Sequence, residues 1–173
     1  PLSPDVVPPP GPNRDLYIDR LTNVMIEEPK GNADPHWTKK GRATLAGLLH
    51  FIVCKIENGN WTGIPPQWLG KEPSIPMLID WMTEATLAAA DELDKLKKTN
   101  PMAAMTADPV KNFLMTAVKE ARDANEASGE MRYSQRAIGE LTQLANTPDK
   151  ERGSIISSMD GGLIVFKNSA VIA

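Results

Sequence analysis

Apolar residues recur along most of the chain at the three- and four-residue spacing of one helix face, and breaker residues divide them into segments. Leu16, Leu21, Val24 and Met25 follow Asn13, which stands where an N-cap belongs, and Pro29 and Gly31 close that first helix. The second helix has the clearest start. Asp34 is a natural N-cap, and Pro35 takes the first helical position, where its missing N–H costs nothing. Leu45, Leu48, Leu49, Ile52, Val53 and Ile56 then form one stripe. It stops at Asn58-Gly59-Asn60, with Gly59 suited to a left-handed cap. Trp61 to Ser74 contains Gly63, Pro65, Pro66, Gly70 and Pro73, too many breakers for a helix, and reads as a long loop of the kind that often has a job.

Ser74 caps a third helix striped by Ile75, Leu78, Ile79, Met82, Thr86, Ala89, Leu93 and Leu96, and Asn100-Pro101 ends it. Asp108-Pro109 repeats the Asp-Pro start and leads into Val110, Phe113, Leu114, Ala117, Val118 and Ala121, closed by Gly129. A fifth helix runs from about Ser134 to Asn146 through Ile138, Leu141 and Leu144, stopped by Pro148. A sixth, from about Asp149, uses Ile155, Ile156, Met159 and Leu163. Gly161-Gly162 weakens it by roughly 1 kcal/mol per glycine, which predicts a break or a close backbone approach there. Val171 to Ala173 reads as the start of a strand or a trimmed end. The expected fold is all-α: a compact bundle of about six to seven helices over 13–173, with a long Pro/Gly/Trp loop. An extended Pro-rich lead-in or linker, Pro1–Pro12, precedes it.

Composition narrows the class. The 173 residues suit one domain, and at 41% hydrophobic and 24% charged the chain is neither collagen-like nor wholly disordered. Aromatics at 5% beside 15 prolines favour Pro-punctuated helices over a β-rich fold. A single cysteine excludes an internal disulfide and favours a reducing compartment. The net charge of -3 and pI of about 5.4 argue against a dedicated, strongly basic nucleic-acid binder, although a local basic patch remains compatible. The most apolar stretch, Ala43–Cys54, falls far short of the roughly 20 residues that a membrane span needs. The first residues lack a signal peptide's basic and apolar regions, and the start at Pro1 fits either an excised piece or loss of an initiator Met.

Catalytic signatures are missing. Nothing matches GxxxxGK followed by Ser or Thr, no GxGxxG follows a strand, and one Cys with His36 and His50 lacks zinc-ligand spacing. No cofactor or metal is expected. Cys54, after Phe51-Ile52-Val53, reads as an inert and partly buried thiol, and His50 as a helix-face residue. Asp80 and Glu84, one turn apart, read as solvated surface. The basic residues are more suggestive. Lys39, Lys40 and Arg42 crowd the opening turns of the second helix, where positive charge opposes the macrodipole, so a phosphate or acidic partner is a reason for them to be there. Arg132 and Arg136, one helical turn apart, are expected to line a surface. Trp61 and Trp68 in the long loop are placed to stack on bases or anchor a partner, or to pin the loop to the core.

The run Asp34-Pro-His-Trp37-Thr-Lys-Lys-Gly-Arg42-Ala-Thr-Leu-Ala-Gly-Leu-Leu49 resembles the segment that opens the helical insertion of type IV coupling proteins, the TraG/TraD-like ATPases of bacterial conjugation and type IV secretion. Pro1-Leu2-Ser3 resembles the turn leaving the preceding strand in that family. Leu141-Thr-Gln-Leu-Ala-Asn-Thr-Pro-Asp-Lys-Glu-Arg-Gly153-Ser-Ile-Ile-Ser157 resembles the exit, and Phe166-Lys-Asn-Ser-Ala-Val171 the return toward the motor. The middle, 61–130, adds only helical character. The resemblance implies an all-α domain seated at the cytoplasmic mouth of a hexameric RecA-like motor, itself anchored in the bacterial inner membrane. It implies recognition of cargo: relaxase-bound single-stranded DNA, the relaxosome and its accessory proteins, or secreted effector proteins. The family's membrane helices and nucleotide-binding motifs have no counterpart here, so none of its catalytic residues carries over.

Binding rather than chemistry is therefore the expected work, through Lys39, Lys40, Arg42, Trp61, Trp68, Arg132 and Arg136. The net charge makes protein cargo at least as plausible as nucleic acid, with basic cargo meeting acidic patches such as Asp91, Glu92 and Asp94. The alternative is a freestanding helical accessory protein of conjugation that binds DNA or a relaxase. A third reading, an all-helical enzyme with its site in the Trp61–Ser74 loop, lacks a recognisable set of nucleophile, base and orienting group.

Overall fold

A computed structural model of the chain describes residues 7–28, 30–31 and 34–167; the readings made for Pro1–Val6 and for Val171–Ala173 lie outside them. The protein is all-helical, and no strand occurs among the described residues. Among the described residues seven α-helices follow one another: α1 (Pro12–Met25), α2 (Pro35–Glu57), α3 (Ile75–Thr99), α4 (Pro101–Ala104), α5 (Pro109–Ser128), α6 (Gln135–Asn146) and α7 (Asp149–Leu163).

Most of the capping residues act as the sequence predicts. Asp34 accepts from the His36 N–H at 2.9 Å, Ser74 from Met77 at 3.2 Å and Asp108 from Lys111 at 3.1 Å; Ser134, expected only near the start of its helix, also caps it, accepting from Ala137 at 3.1 Å. The start of α1 is different. Gly11 is the N-cap, at a φ of 139° that favours glycine, and Pro12 takes the first helical position, so Asn13 is already inside the helix. The lead-in is also tied down where it is described. Val7 is buried, and the Pro8 carbonyl accepts from Arg14 Nε at 2.8 Å. Beyond Thr99, Asn100 caps the one-turn α4 through the Ala103 N–H.

Helix α2 is the axis of the bundle. Every residue from Thr44 to Lys55 is buried, with α6, α7 and α1 packed around it, and α5 packs on α6. Two glycines permit this approach. A Cβ at Gly47 would run into the Glu140 Cβ of α6, and one at Gly41 would stand 3.2 Å from the Ser158 Cβ of α7. The glycine pair in α7 does not break the helix. Gly162 instead admits the end of α1, whose Met25 carbonyl would lie 2.7 Å from a Cβ there. Phe51 sits among Trp81 and Tyr133, at ring-centroid distances of 5.4 and 5.5 Å, and Trp81 meets Phe113 at 4.9 Å.

Helix α3 departs from this pattern. Ile75, Met77, Leu78, Ile79 and Trp81 are buried, but after Trp81 only Ala89 is. Its second half and α4 therefore lie largely in solvent, which the regular apolar stripe through Leu93 and Leu96 did not indicate.

Candidate binding surfaces

The seven residues singled out as a binding surface do not converge. Lys39 is near the start of α2 and Trp61 is in the loop beyond its other end; Lys39 and the last helical residue, Glu57, are already about 27 Å apart along the axis by helical rise. Arg42 is turned inward: its Nε and one terminal nitrogen donate to the Ile26 carbonyl at 2.8 and 2.6 Å, and the other terminal nitrogen to Glu28 at 2.5 Å. This guanidinium thus holds the carbonyl end of α1, where a cation is stabilising. Lys40 is half-buried beside Thr44 and Glu140. Lys39 is exposed.

Arg132 and Arg136 do not share a helix face, because α6 starts only at Gln135 and Arg132 belongs to the preceding loop. Arg136 reaches Asp19 of α1 at 2.6 Å, and that hydrogen bond raises its pKa further. Arg132 has an exposed side chain, while its carbonyl accepts from Asn58 at 3.1 Å. Of the two tryptophans, Trp68 donates from Nε1 to Asp80 at 2.7 Å, with Lys71 5.3 Å from the ring centroid; Trp61 is half-buried against the core. Both pin the loop. Asp80 is accordingly an acceptor for the loop and not a solvated carboxylate, whereas Glu84 is exposed.

The interior holds charges that sequence reasoning passed over. Arg14 forks onto Glu57 at 2.6 and 3.0 Å, joining the start of α1 to the end of α2. Lys55 reaches Glu120 at 2.8 Å and Asn60 at 3.2 Å. Arg152, 1% exposed, donates to both Asp108 oxygens at 2.7 and 2.8 Å, to Asp149 at 3.3 Å and to the Ala145 carbonyl at 3.2 Å. One guanidinium thus ties together α7, the end of α6 and the cap of α5. Burial works against the Asp108 carboxylate, yet the hydrogen bonds from Arg152 and the Lys111 N–H prevail and its pKa lies below the usual value. The only sequence signal for this link is Asp149 three residues before Arg152; its main partner is 44 residues away.

Groups of potential chemical use are sequestered. His50 is fully buried with both ring nitrogens unpartnered, and the Asp15 carboxylate lies 3.5 Å from Nε2, without a hydrogen bond. Burial lowers its pKa to about 4, against the opposing pull of Asp15. Cys54 is buried, and burial pushes its thiol up. Among the described residues no three His, Cys, Asp or Glu side chains gather to hold a metal ion, and no helix is long and apolar enough to cross a membrane.

The solvent-facing chemistry lies on the second half of α3 and on α4. Glu84, Asp91, Glu92 and Asp94 are exposed along α3, followed by Lys95, Lys97 and Lys98 at its end, where Lys97 pairs with Asp94 at 3.6 Å; Leu87 at 57%, Met102 at 78% and Met105 at 82% are exposed as well. Between Lys71 and Lys95 the chain carries Glu72, Asp80, Glu84, Asp91, Glu92 and Asp94 and no basic residue. Glu84, Leu87, Asp91 and Asp94 follow the spacing of a single helix face. Family models, curated proteins and solved structures were compared with the chain, and none matches.

Proposed function

We propose that the chain is a substrate-recognition module that binds a protein cargo, in the role of the coupling-protein all-α domain whose sequence it resembles. The observation that carries this reading is the combination, on the largely solvated part of α3 and the one-turn α4 after it, of an acidic stretch from Glu84 to Asp94 with exposed apolar side chains. Carboxylates of one sign steer and select a basic partner, and scattered leucine and methionine give adaptable contact. Arg42 and Arg136 are occupied within the protein, which removes two of the five cations on which a phosphate-tracking surface would rest. In this role the module would sit beside a RecA-like motor on the cytoplasmic side of the inner membrane and present a relaxase or an effector protein to it.

The test is a titration of the chain against a basic relaxase and, separately, against labelled single-stranded DNA, each at low and at physiological salt. The proposal expects saturable binding of the relaxase and weak or undetectable binding of DNA. Tight DNA binding whose affinity falls steeply with salt, with no binding of the protein, would replace it by the nucleic-acid reading.

A further inference from the structure

Helices α3 and α7 both rest on the core but make almost no direct contact with each other. A groove runs between them in two adjoining parts. The inner part, about 50 Å³, reaches down to Leu48, Trp81 and Met159; the outer, about 250 Å³, passes Leu87 and Leu163. Met82, Thr86 and Ile156 line both, so the two adjoin, and Val110 and Phe113 of α5 close the far side of the inner part. From Ile79 to Leu87 the groove's α3 wall extends about 12 Å, slightly more than two helical turns. That is the reach of apolar anchors spaced i, i+3 or i+4, and i+7 on a docking helix.

The rim is acidic on the α3 side. Glu84 and Asp91 stand one turn to either side of Leu87; Asp94, two turns beyond it, pairs with Lys97 at 3.6 Å, and both partners of that pair are exposed, so it contributes little and is open to exchange. On the α7 side, Asp160 lines the groove and pairs with Lys167 at 3.3 Å. Both partners of that pair are well exposed, at 44% and 43%, so it contributes little, and an incoming cation can replace Lys167. A phosphate backbone would meet repulsion from these carboxylates.

We propose that the α3–α7 groove is a docking site for an amphipathic helix of a partner protein, with apolar side chains on one face and Lys or Arg along its flank. This rests on the cargo-recognition reading and names the surface and the partner chemistry. The groove takes the apolar face, and Glu84, Asp91, Asp94 and Asp160 select the basic flank.

The probe is a synthetic helix of about 18 residues, with leucine at helical spacing and lysine elsewhere. Two controls accompany it: one with glutamate for lysine, and one with glutamine for leucine. Backbone amide NMR of the whole chain reads where each binds. The expected result is shifts centred on Met82, Thr86, Leu87, Ile156 and Leu163 with the Leu/Lys peptide alone. Thr86→Arg, at an exposed position that leaves the core intact, is expected to weaken it by roughly tenfold or more, and Asp91→Lys with Asp94→Lys by several-fold. Equal binding of either control peptide, shifts centred elsewhere, or unchanged affinity in Thr86→Arg would overturn the groove. A relaxase that Thr86→Arg still binds but the Asp91→Lys/Asp94→Lys variant does not would remove the groove while leaving cargo recognition by the acidic face. Peptide docking without relaxase binding would keep the groove and remove the cargo assignment.

Discussion

His50 makes the stability of this protein depend on pH in a direction set by its surroundings. The ring is fully buried without hydrogen-bond partners, and its folded pKa is about 4 against an ordinary 6.5. Above pH 6.5 the imidazole is neutral in both states and contributes no pH dependence. As pH falls below 6.5 the unfolded chain takes up the proton and the folded one does not, so stability is lost until about pH 4, where the folded ring titrates as well. The lowering from 6.5 to about 4 corresponds to about 3 kcal/mol over that window. The Asp108–Arg152 pair also weakens in acid, so the comparison that isolates His50 is with His50→Leu. That variant is expected to be close to neutral at pH 7, because it removes two unpartnered polar atoms and keeps most of the volume. Urea unfolding of both proteins between about pH 7 and pH 4 should show the wild type losing stability faster, by up to about 1.4 kcal/mol per pH unit. Parallel pH profiles would refute the reasoning, and a wild-type advantage growing in acid would reverse its sign.

Three further outcomes follow from the packing. Asp108→Ala should cost about 3–5 kcal/mol in urea unfolding, because it leaves the Arg152 guanidinium buried without its main partner; a loss under about 1 kcal/mol would show that Arg152 is satisfied otherwise. Asp108→Asn, which keeps a competent helix cap, should cost less than Asp108→Ala. Gly47→Ala should destabilise by about 1–3 kcal/mol, because its methyl meets the Glu140 Cβ, whereas Gly139→Ala in α6 has nothing within 4 Å and should stabilise by about 0.5–1 kcal/mol. The same substitution is thus expected to have opposite signs in two touching helices. Cys54, buried and with a raised pKa, should react with a thiol reagent only slowly in the folded protein and at once in denaturant.

The helices were legible because their signals are local. Asp34-Pro35, Ser74, Asp108-Pro109 and Ser134 each act within three residues of themselves, and the apolar stripes between them need only one periodicity. The start of α1 was misplaced by two residues, since Gly11 and Pro12 together make a cap that requires no side-chain acceptor. The surface was much less legible. Arg42, Arg136 and Arg152 look alike in sequence to Lys39 and Arg132, and what separates them is a partner 14, 117 or 44 positions away in the chain. Periodicity also could not reveal that α3 outruns the core, because the stripe through Leu93 and Leu96 continues past the last residue the bundle buries. The acidic run from Glu72 to Asp94 was visible as composition, but its place beside an apolar groove required the fold.

The central claim is that cargo meets the acidic face of α3 and not the exposed cations. A relaxase titration of the wild-type chain against two charge-reversed variants, Asp91→Lys/Asp94→Lys and Lys39→Glu/Arg132→Glu, tests it most directly. All four positions are exposed, so both variants are expected to fold. The account predicts that the first variant loses binding by several-fold and that the second binds at least as well as wild type. Loss of binding in the second variant, with the first unaffected, would contradict the account and return the function to the cations.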